Sequence, residues 1–413
     1  MSTAAVVDDE WRDLVLDDVA EVVGGGTPAT SNGSFWGGAI PWITPSEVTR
    51  HEGEVVRETE RTITEEGLAA SSATLLPEGT VLVTSRATVG AVAMAGHSMA
   101  TNQGFASLVT KDAVLPHFLM NWVQANRVEF QKRASGSTFP EITRSKVKSI
   151  PIRLPKVSVQ RRIVDLVGIL DSSIERERLA SAAASSLLYS ALLEHVTNTI
   201  GQAQRVVDCC IRVVGGVWGD EPGIGDVDVA ALGPRIYLPG TPGLVVVGSP
   251  IRSFSARQVE TRLVRPGDIV LERSGGSPSQ PVGRVVIASG DEPACVPTDF
   301  QRLVRPDPAV VMPRYLFWRL WCDWRAGVTL GYSRRTTGIT NLSVTQYLNR
   351  LISVPPIPEQ QRLVGMIDSM ADSVSATDLC VLQLQQLRTS VLTGLMSGDI
   401  EIPETYDTFL EAS

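Results

Sequence analysis

Arginine, asparagine and glutamine in polar, glycine-rich stretches are the side chains of this 413-residue sequence best suited to recognition chemistry. Arginine carries a planar fork of donors that fits guanine or phosphate, and Asn and Gln can pair with the edge of adenine in the major groove. Lys, Ser and Thr on exposed loops suit phosphate oxygens. The earlier candidates are Arg86 in VTSRATVG, Asn102 and Gln103 in ATNQG, and Lys132, Arg133, Ser135, Ser137 and Thr138 in QKRASGST. The later ones are Arg273, Ser274 and Gln280 in RSGGSPSQ, then Arg302, and the run Tyr332, Ser333, Arg334 and Arg335. For any one of them a solvated, salt-bridged face is the plainer use. As a set they are the expected DNA-binding residues.

Catalytic patterns are missing beside them. No G-x4-G-K-[ST] stretch is present, which argues against an ATP-driven motor. Gly24, Gly25 and Gly26 lack the spacing of a dinucleotide fingerprint. His51, His97, His117 and His195 are scattered without metal-ligand spacing. The five cysteines (Cys209, Cys210, Cys295, Cys322 and Cys380) suggest neither a disulfide framework nor a zinc site. The adjacent pair Cys209–Cys210 reads as packing. Trp318, Trp321 and Trp324 recur every third residue, and core packing explains them better than base stacking. No metal and no cofactor is expected. No run approaches 18 apolar residues, so no membrane span is expected, and the acidic start lacks a signal-peptide core. The expected compartment is the cytoplasm.

The net charge of −8 speaks against a polyanionic partner until its distribution is followed. Residues 201–355 carry 17 basic and 13 acidic side chains, whereas residues 356–413 carry 2 and 9. Residues 127–156 hold eight basic residues against Glu129 and Glu141, and residues 302–335 hold seven arginines against Asp307 and Asp323. Both basic clusters fall just before a matched pair of stretches.

Those stretches, LPKVSVQRRIVDLVGILDSSIERER and VPPIPEQQRLVGMIDSMADSVSATD, organise the chain. Pro155 matches Pro355, Gln160 matches Gln360 and Arg162 matches Arg362, each at an offset of 200 residues. A duplication of this length makes the molecule two similar halves. In the first copy Ile163, Leu166, Leu170 and Ile174 recur at spacings of three and four, and in the second Leu363, Ile367, Met370 and Val374 do the same, followed by Leu379, Leu382, Leu387, Val391 and Leu395. Each pattern predicts a helix of about 40 residues, or roughly 60 Å, with an apolar face whose simplest partner is the other helix. Before each helix the order of segments also repeats: two β-rich runs around a turn, a further strand, a helix opening at Pro116 or Pro313, a polar loop, and a last strand. The glycine- and proline-rich opening of the second half, residues 201–250, barely resembles the first and suggests an irregular face.

The features GGGTPATSNGSFWGGAIPWITPSEV, the two P-x4-Q-x-R-[IL]-V helix entries and ITNLSVTQYLNRLISVPPIPEQQRLV, in this order, resemble the specificity subunit of type I restriction–modification systems. The resemblance implies an α+β fold with two pseudo-repeated target-recognition domains joined by a pair of long antiparallel coiled-coil helices. It places target-recognition domains at 1–155 and 201–355, spacer helices at 156–200 and 356–400, and an acidic C-terminal tail at 401–413. It implies that each domain reads one half of a split, asymmetric sequence in double-stranded DNA. The subunit would have no catalysis of its own and would seat two methylation subunits, with restriction subunits joining in the full complex. The adenine-methyltransferase pattern of the partner is indeed missing: the one Pro-Pro stands in Val354-Pro355-Pro356-Ile357, without the flanking residues required. The second half lacks the GTP…W…G-x-IPW text of the first. A pseudo-symmetric protein-interaction scaffold that has lost DNA reading is the alternative, and sequence-selective, salt-sensitive DNA binding separates the two.

Overall fold

A computed structural model describes residues 11–136, 140–238, 242–276, 280–336 and 339–410. The chain forms two compact units, one made of residues up to Glu175 together with those from Leu382 onward, the other of Arg176–Val381.

The strands of the first unit are β1 (Trp11–Val15), β2 (Ala20–Gly24), β3 (Trp36–Ile43), β4 (Val55–Val56), β5 (Arg61–Ile63), β6 (Val81–Val83), β7 (Val92–Ala95), β8 (Ala100–Thr101), β9 (Ala106–Thr110) and β10 (Pro151–Pro155). They form a five-stranded sheet in the order β2-β9-β6-β7-β4, a three-stranded sheet β5-β3-β8, and the antiparallel pair β1-β10. The central strand β6 is buried on both faces, which is why its text is continuously apolar rather than alternating. Val81 and Val83 join a core with Phe118 and Trp122 from the Pro116–Ala125 helix, whereas Leu82 joins Ile43, Ala93 and Phe105. The stretch before the glycine run is largely strand, with one helical turn at Leu16–Val19.

The second unit contains β11 (Gln202–Arg205), β12 (Cys210–Gly215), β13 (Val227–Leu232), β14 (Ile251–Phe254), β15 (Ile269–Glu272), β16 (Ser274–Gly275), β17 (Val285–Ile287), β18 (Cys295–Pro297), β19 (Gln301–Pro306), β20 (Ser333–Thr336), β21 (Ile339–Leu342) and β22 (Leu351–Val354). Its sheet β12-β19-β15-β17 repeats the order β2-β9-β6-β7, and β11-β22 repeats β1-β10. The opening expected to be irregular instead keeps the scaffold. β13 pairs antiparallel with β14 and parallel with β18, just as β3 pairs with β5 and β8. The glycines before this sheet are sites of close approach, not flexible hinges. A Cβ on Gly25 would lie 2.0 Å from the Asn102 carbonyl oxygen, and one on Gly216 would lie 2.0 Å from that of Thr298.

The long helices span Val157–Ala191, continued by a π-helical turn at Leu192–Thr197, and Ile357–Ser397. In the first unit Ile163 and Val167 share a core with Leu392, Leu395 and Met396, while Arg388 pairs with Asp171. In the second, Leu188, Leu192 and Val196 share a core with Leu363, Ile367, Ala371 and Val374, and Ser181 donates to Asp378. Both pairings are antiparallel. Leu379, Leu382 and Leu387, expected on the apolar face, are about half exposed. Two helices cover a single seam, and a stripe wider than that seam stays in solvent.

The matched glutamines explain the entry motif. Gln160 and Gln360 are fully buried. The Gln160 carbonyl accepts from Leu115 N (2.8 Å), and its amide donates to the Pro155 and Ala113 oxygens (2.9 and 3.0 Å). Gln360 likewise accepts from Met312 N (2.7 Å) and donates to the Pro355 and Val310 oxygens (2.8 and 3.4 Å). Each side chain closes backbone groups at the foot of the preceding helix that would otherwise be buried without partners. The matched arginines differ. Arg162 forks onto Asp407 of the C-terminal segment (2.7 Å), whereas Arg362 pairs with Glu359 on its own helix (2.7 Å).

Candidate nucleic-acid interface

Antiparallel strand pairing assembles the polar face of the second unit. β21 lies between β16 and β20, so Asn341 stands opposite both Ser274 and Arg334. Leu342 N donates to the Arg273 carbonyl oxygen (2.7 Å), and Ser274 Oγ donates to Asn341 Oδ1 (2.5 Å). β19 adds Arg302, which lies across Gly215 at the end of β12; a Cβ there would be 3.5 Å from its guanidinium carbon.

The result is a cleft of about 740 Å³ lined by Arg273, Arg302 and Arg334 together with Asn341, Gln346 and Asn349. None of the three arginines has a carboxylate partner among the described residues. Arg302 donates to the Gln301 carbonyl oxygen (2.8 Å). Burial, and then the nearby Arg273, push its guanidinium below the usual value, with Asp299 opposing. Like charges held close and partly out of water favour an incoming anion.

Most other arginines of the region are structural. Arg305 forks onto buried Asp268 (2.6 Å) and Arg284 onto buried Glu272 (2.6 Å), and Arg314 Nε donates to Asp368 Oδ1 (2.8 Å). Arg319 and Arg350 both meet buried Asp323. Removing these pairs from the arginine-rich text leaves a small cationic set.

Four other candidates lie differently. Gln280 lines a separate cavity of about 350 Å³ with Trp318, Trp321 and Trp324. Tyr332 packs its ring edge-on against buried Tyr347 (5.6 Å between centroids), and Ser333 Oγ donates to the Thr329 carbonyl oxygen (2.7 Å). Arg335, beside them on β20, is exposed.

The same backbone plan holds the first unit's candidates, with different chemistry. Ile142 N donates to the Ser85 carbonyl oxygen (3.0 Å), as Leu342 does to Arg273, and Glu141 stands opposite Arg86 and Ser135. Arg86 pairs with Glu141 (2.8 Å), and Lys132 and Arg133 share Glu129. Ser135 Oγ accepts from Lys146 Nζ (2.6 Å). Asn102 Oδ1 accepts from Gly104 N (2.7 Å), and Gln103 Oε1 accepts from Thr27 Oγ1. Ser137 and Thr138 lie outside the described residues. Here Arg144 takes the place beside the strand-end glycine: a Cβ on Gly24 would be 3.3 Å from its side chain. The sequence reading missed Arg144, Asn341, Gln346 and Asn349. Arg144 and Asn341 directly follow polar loops already chosen, whereas Gln346 and Asn349 stand on and after the short helix Val344–Leu348 that comes next.

Among the described residues, no group of three or more His, Cys, Asp or Glu side chains could hold a metal ion. The cysteines are free, and burial pushes the Cys209 thiol up to about 11 and that of Cys210 up to about 12, as expected of inert packing. Among the described residues, no helix is long and apolar enough to cross a membrane.

Residues 8–183 match the model of the type I restriction modification DNA specificity domain. The type I restriction enzyme MjaIX specificity subunit of Methanocaldococcus jannaschii is 26% identical over 420 residues, covering 96% of this chain and 94% of the relative. This chain resembles a type I specificity subunit over nearly its whole length. A second relative of the same kind, the EcoR124I/EcoR124II specificity subunit of Escherichia coli, is 26% identical over 40% of this chain and 41% of its own. The fold agrees with that of a specificity-subunit architecture. A solved chain of a type I R-M system superimposes with a TM-score of 0.61 at 19% identity, covering 95% of this chain and 98% of that one. The S subunit from M. genitalium gives 0.53 at 11% identity, with 96% and 98% covered.

Proposed function

We propose that this chain is the sequence-specific DNA-recognition subunit of a type I restriction–modification complex. It reads a bipartite, asymmetric target in double-stranded DNA and seats two methylation subunits on it, with restriction subunits added in the full complex. It is not itself an enzyme. Residues 1–155 and 201–355 are the two target-recognition domains, 156–200 and 356–400 the spacer helices and 401–413 a tail, working in the cytoplasm. The observation that carries the reading is the cleft in which Arg273, Arg302 and Arg334 stand without carboxylate partners among the described residues, beside Asn341, Gln346 and Asn349. Arginine is the side chain for guanine or phosphate, and Asn and Gln are those for adenine. Arg335, the next residue of β20 and so on its other face, is exposed and offers a further phosphate contact. In the first domain Arg86, Asn102, Gln103, Lys132, Arg133 and Ser135 are the matching contacts, and exchanging their acidic partners for phosphate would free the cations.

The test is a map of methylated adenines in cells with and without this gene, the methylation subunits being present. Methylation at one split motif should depend on the gene. Exchanging residues 201–355 for the matching domain of a relative should rewrite one half of that motif and spare the other. A map that ignores the gene would favour the protein-scaffold reading.

A further inference from the structure

Beside the cleft just described lies a second one, of about 530 Å³, that the sequence reading did not find. β12 contributes Arg212, and the capped helix Ala256–Arg262 contributes Arg257 and Arg262. The guanidinium groups are held by neutral oxygens. Arg262 Nε donates to the Gly215 carbonyl (2.8 Å) and its Nη1 to Thr261 Oγ1 (2.9 Å), while Arg212 Nη1 donates to the Thr261 carbonyl (3.2 Å). Such bonds fix geometry and leave the charge uncompensated. Arg257 is exposed and its side chain has no hydrogen-bond or ion-pair partner among the described residues. Two carboxylates belong to this neighbourhood and neither lines the cleft. Asp226 accepts from Ala256 N (2.8 Å) at the helix start, and Glu260, three residues after Arg257 and so on the adjoining turn of the same helix face, is exposed and pairs with no arginine of the cleft among the described residues.

The two clefts adjoin along β12. Val213 lines both, and Gly215 lines the first while its carbonyl holds Arg262 of the second. Arg212 and Gly215 are three residues apart on one strand, or about 10 Å at roughly 3.3 Å per residue, which corresponds to about three base-pair rises. A single cationic track therefore runs along β12, its amide-rich end at Asn341 and its purely arginine end at Arg257.

We propose that Arg212, Arg257 and Arg262 bind the phosphodiester backbone of the DNA flanking the bases met at the Arg273–Arg302–Arg334 cleft. This inference rests on the DNA-recognition reading and adds to it a sequence-independent anchor. The arginine-only cleft has no asparagine, and Ser255 and Gln258 are already occupied in the helix cap, so it can position DNA without selecting a base.

The test uses the chain assembled with its methylation subunits, a duplex carrying the mapped target, and a scrambled duplex of equal length, titrated over a range of NaCl. Arg257→Gln removes a charge that has no side-chain partner among the described residues, so folding should be untouched; Arg212→Gln with Arg257→Gln enlarges the effect. The expected result is equal weakening on both duplexes. The slope of log affinity against log salt should become shallower by about one unit per lost phosphate contact, with the methylated sequence unchanged. Unchanged affinity and slope on both duplexes, while Arg302→Gln weakens the target, would overturn the inference and leave the DNA reading standing. If Arg302→Gln is also silent, the DNA reading of this domain fails with it. Reduced assembly with the methylation subunits, at an unchanged salt slope, would overturn the inference in favour of an acidic protein segment.

Discussion

Gln160 and Gln360 make the same three hydrogen bonds in the two units, whereas the polar faces built on the same strands do not share their chemistry. Arg86, Lys132 and Arg133 each rest on a glutamate, while Arg273, Arg302 and Arg334 have no carboxylate partner among the described residues. The difference separates two kinds of constraint. A buried amide has few solutions to its hydrogen-bonding needs, so duplication preserves it. An exposed cation has many, so the face is free to change with the target while the scaffold stays.

The largest expected effect tests the shared part. Gln160→Ala and Gln360→Ala should each destabilise the chain by about 2–4 kcal/mol, because buried backbone groups lose their partner. Urea unfolding of the two variants checks it, and clearly unequal losses would break the equivalence of the halves.

Next comes the open face. Arg302→Ala and Arg334→Ala should each weaken DNA binding by the assembled complex by about 1–2 kcal/mol and flatten the salt slope by about one unit. Lys132→Ala with Arg133→Ala should flatten the slope less, since Glu129 already holds both cations. A larger effect in the first half would reverse the comparison.

The converse substitution sharpens it. Glu141→Gln should release Arg86 and strengthen DNA binding a few-fold at low salt, an advantage that fades as salt rises. Weaker binding would mean that the pair, rather than the free arginine, is what the DNA requires.

The smallest effect concerns Arg162 and Arg362. Asp407 is held below its ordinary 3.8, first by its hydrogen bonds to Arg162 and then by that charge. Its contribution is therefore complete above 3.8 and is lost as pH falls through the lowered value. Asp407→Asn should loosen residues 404–410 in hydrogen exchange at neutral pH, while the Arg362 site, paired with Glu359, is unaffected.

The helices and the repeat were legible because periodicity and spacing are local. Ile163 and Ile367 could be placed on a buried face from the text alone, though Leu382 and Leu387 could not be told apart from them. The β13-β18 pairing was hidden in glycine- and proline-rich text, since the partners lie more than sixty residues apart. The site was legible as a residue class and as an address. Which arginines stay open depends on Asp268, Glu272 and Asp323, each reached only through the fold. Arg212 and Arg257 were missed for the same reason: a strand and a distant helix bring them together.

The first compact unit needs both ends of the chain, because Leu392, Leu395 and Met396 complete the core around Ile163 and Val167. During synthesis its early part must therefore wait on the ribosome with that apolar stripe uncovered. The next two hundred or so residues take about 10–40 s to emerge at roughly 5–20 residues per second. The duplicated gene thus makes the half that is translated first the last to be finished, and a chain truncated after the second domain would be left with the first one incomplete.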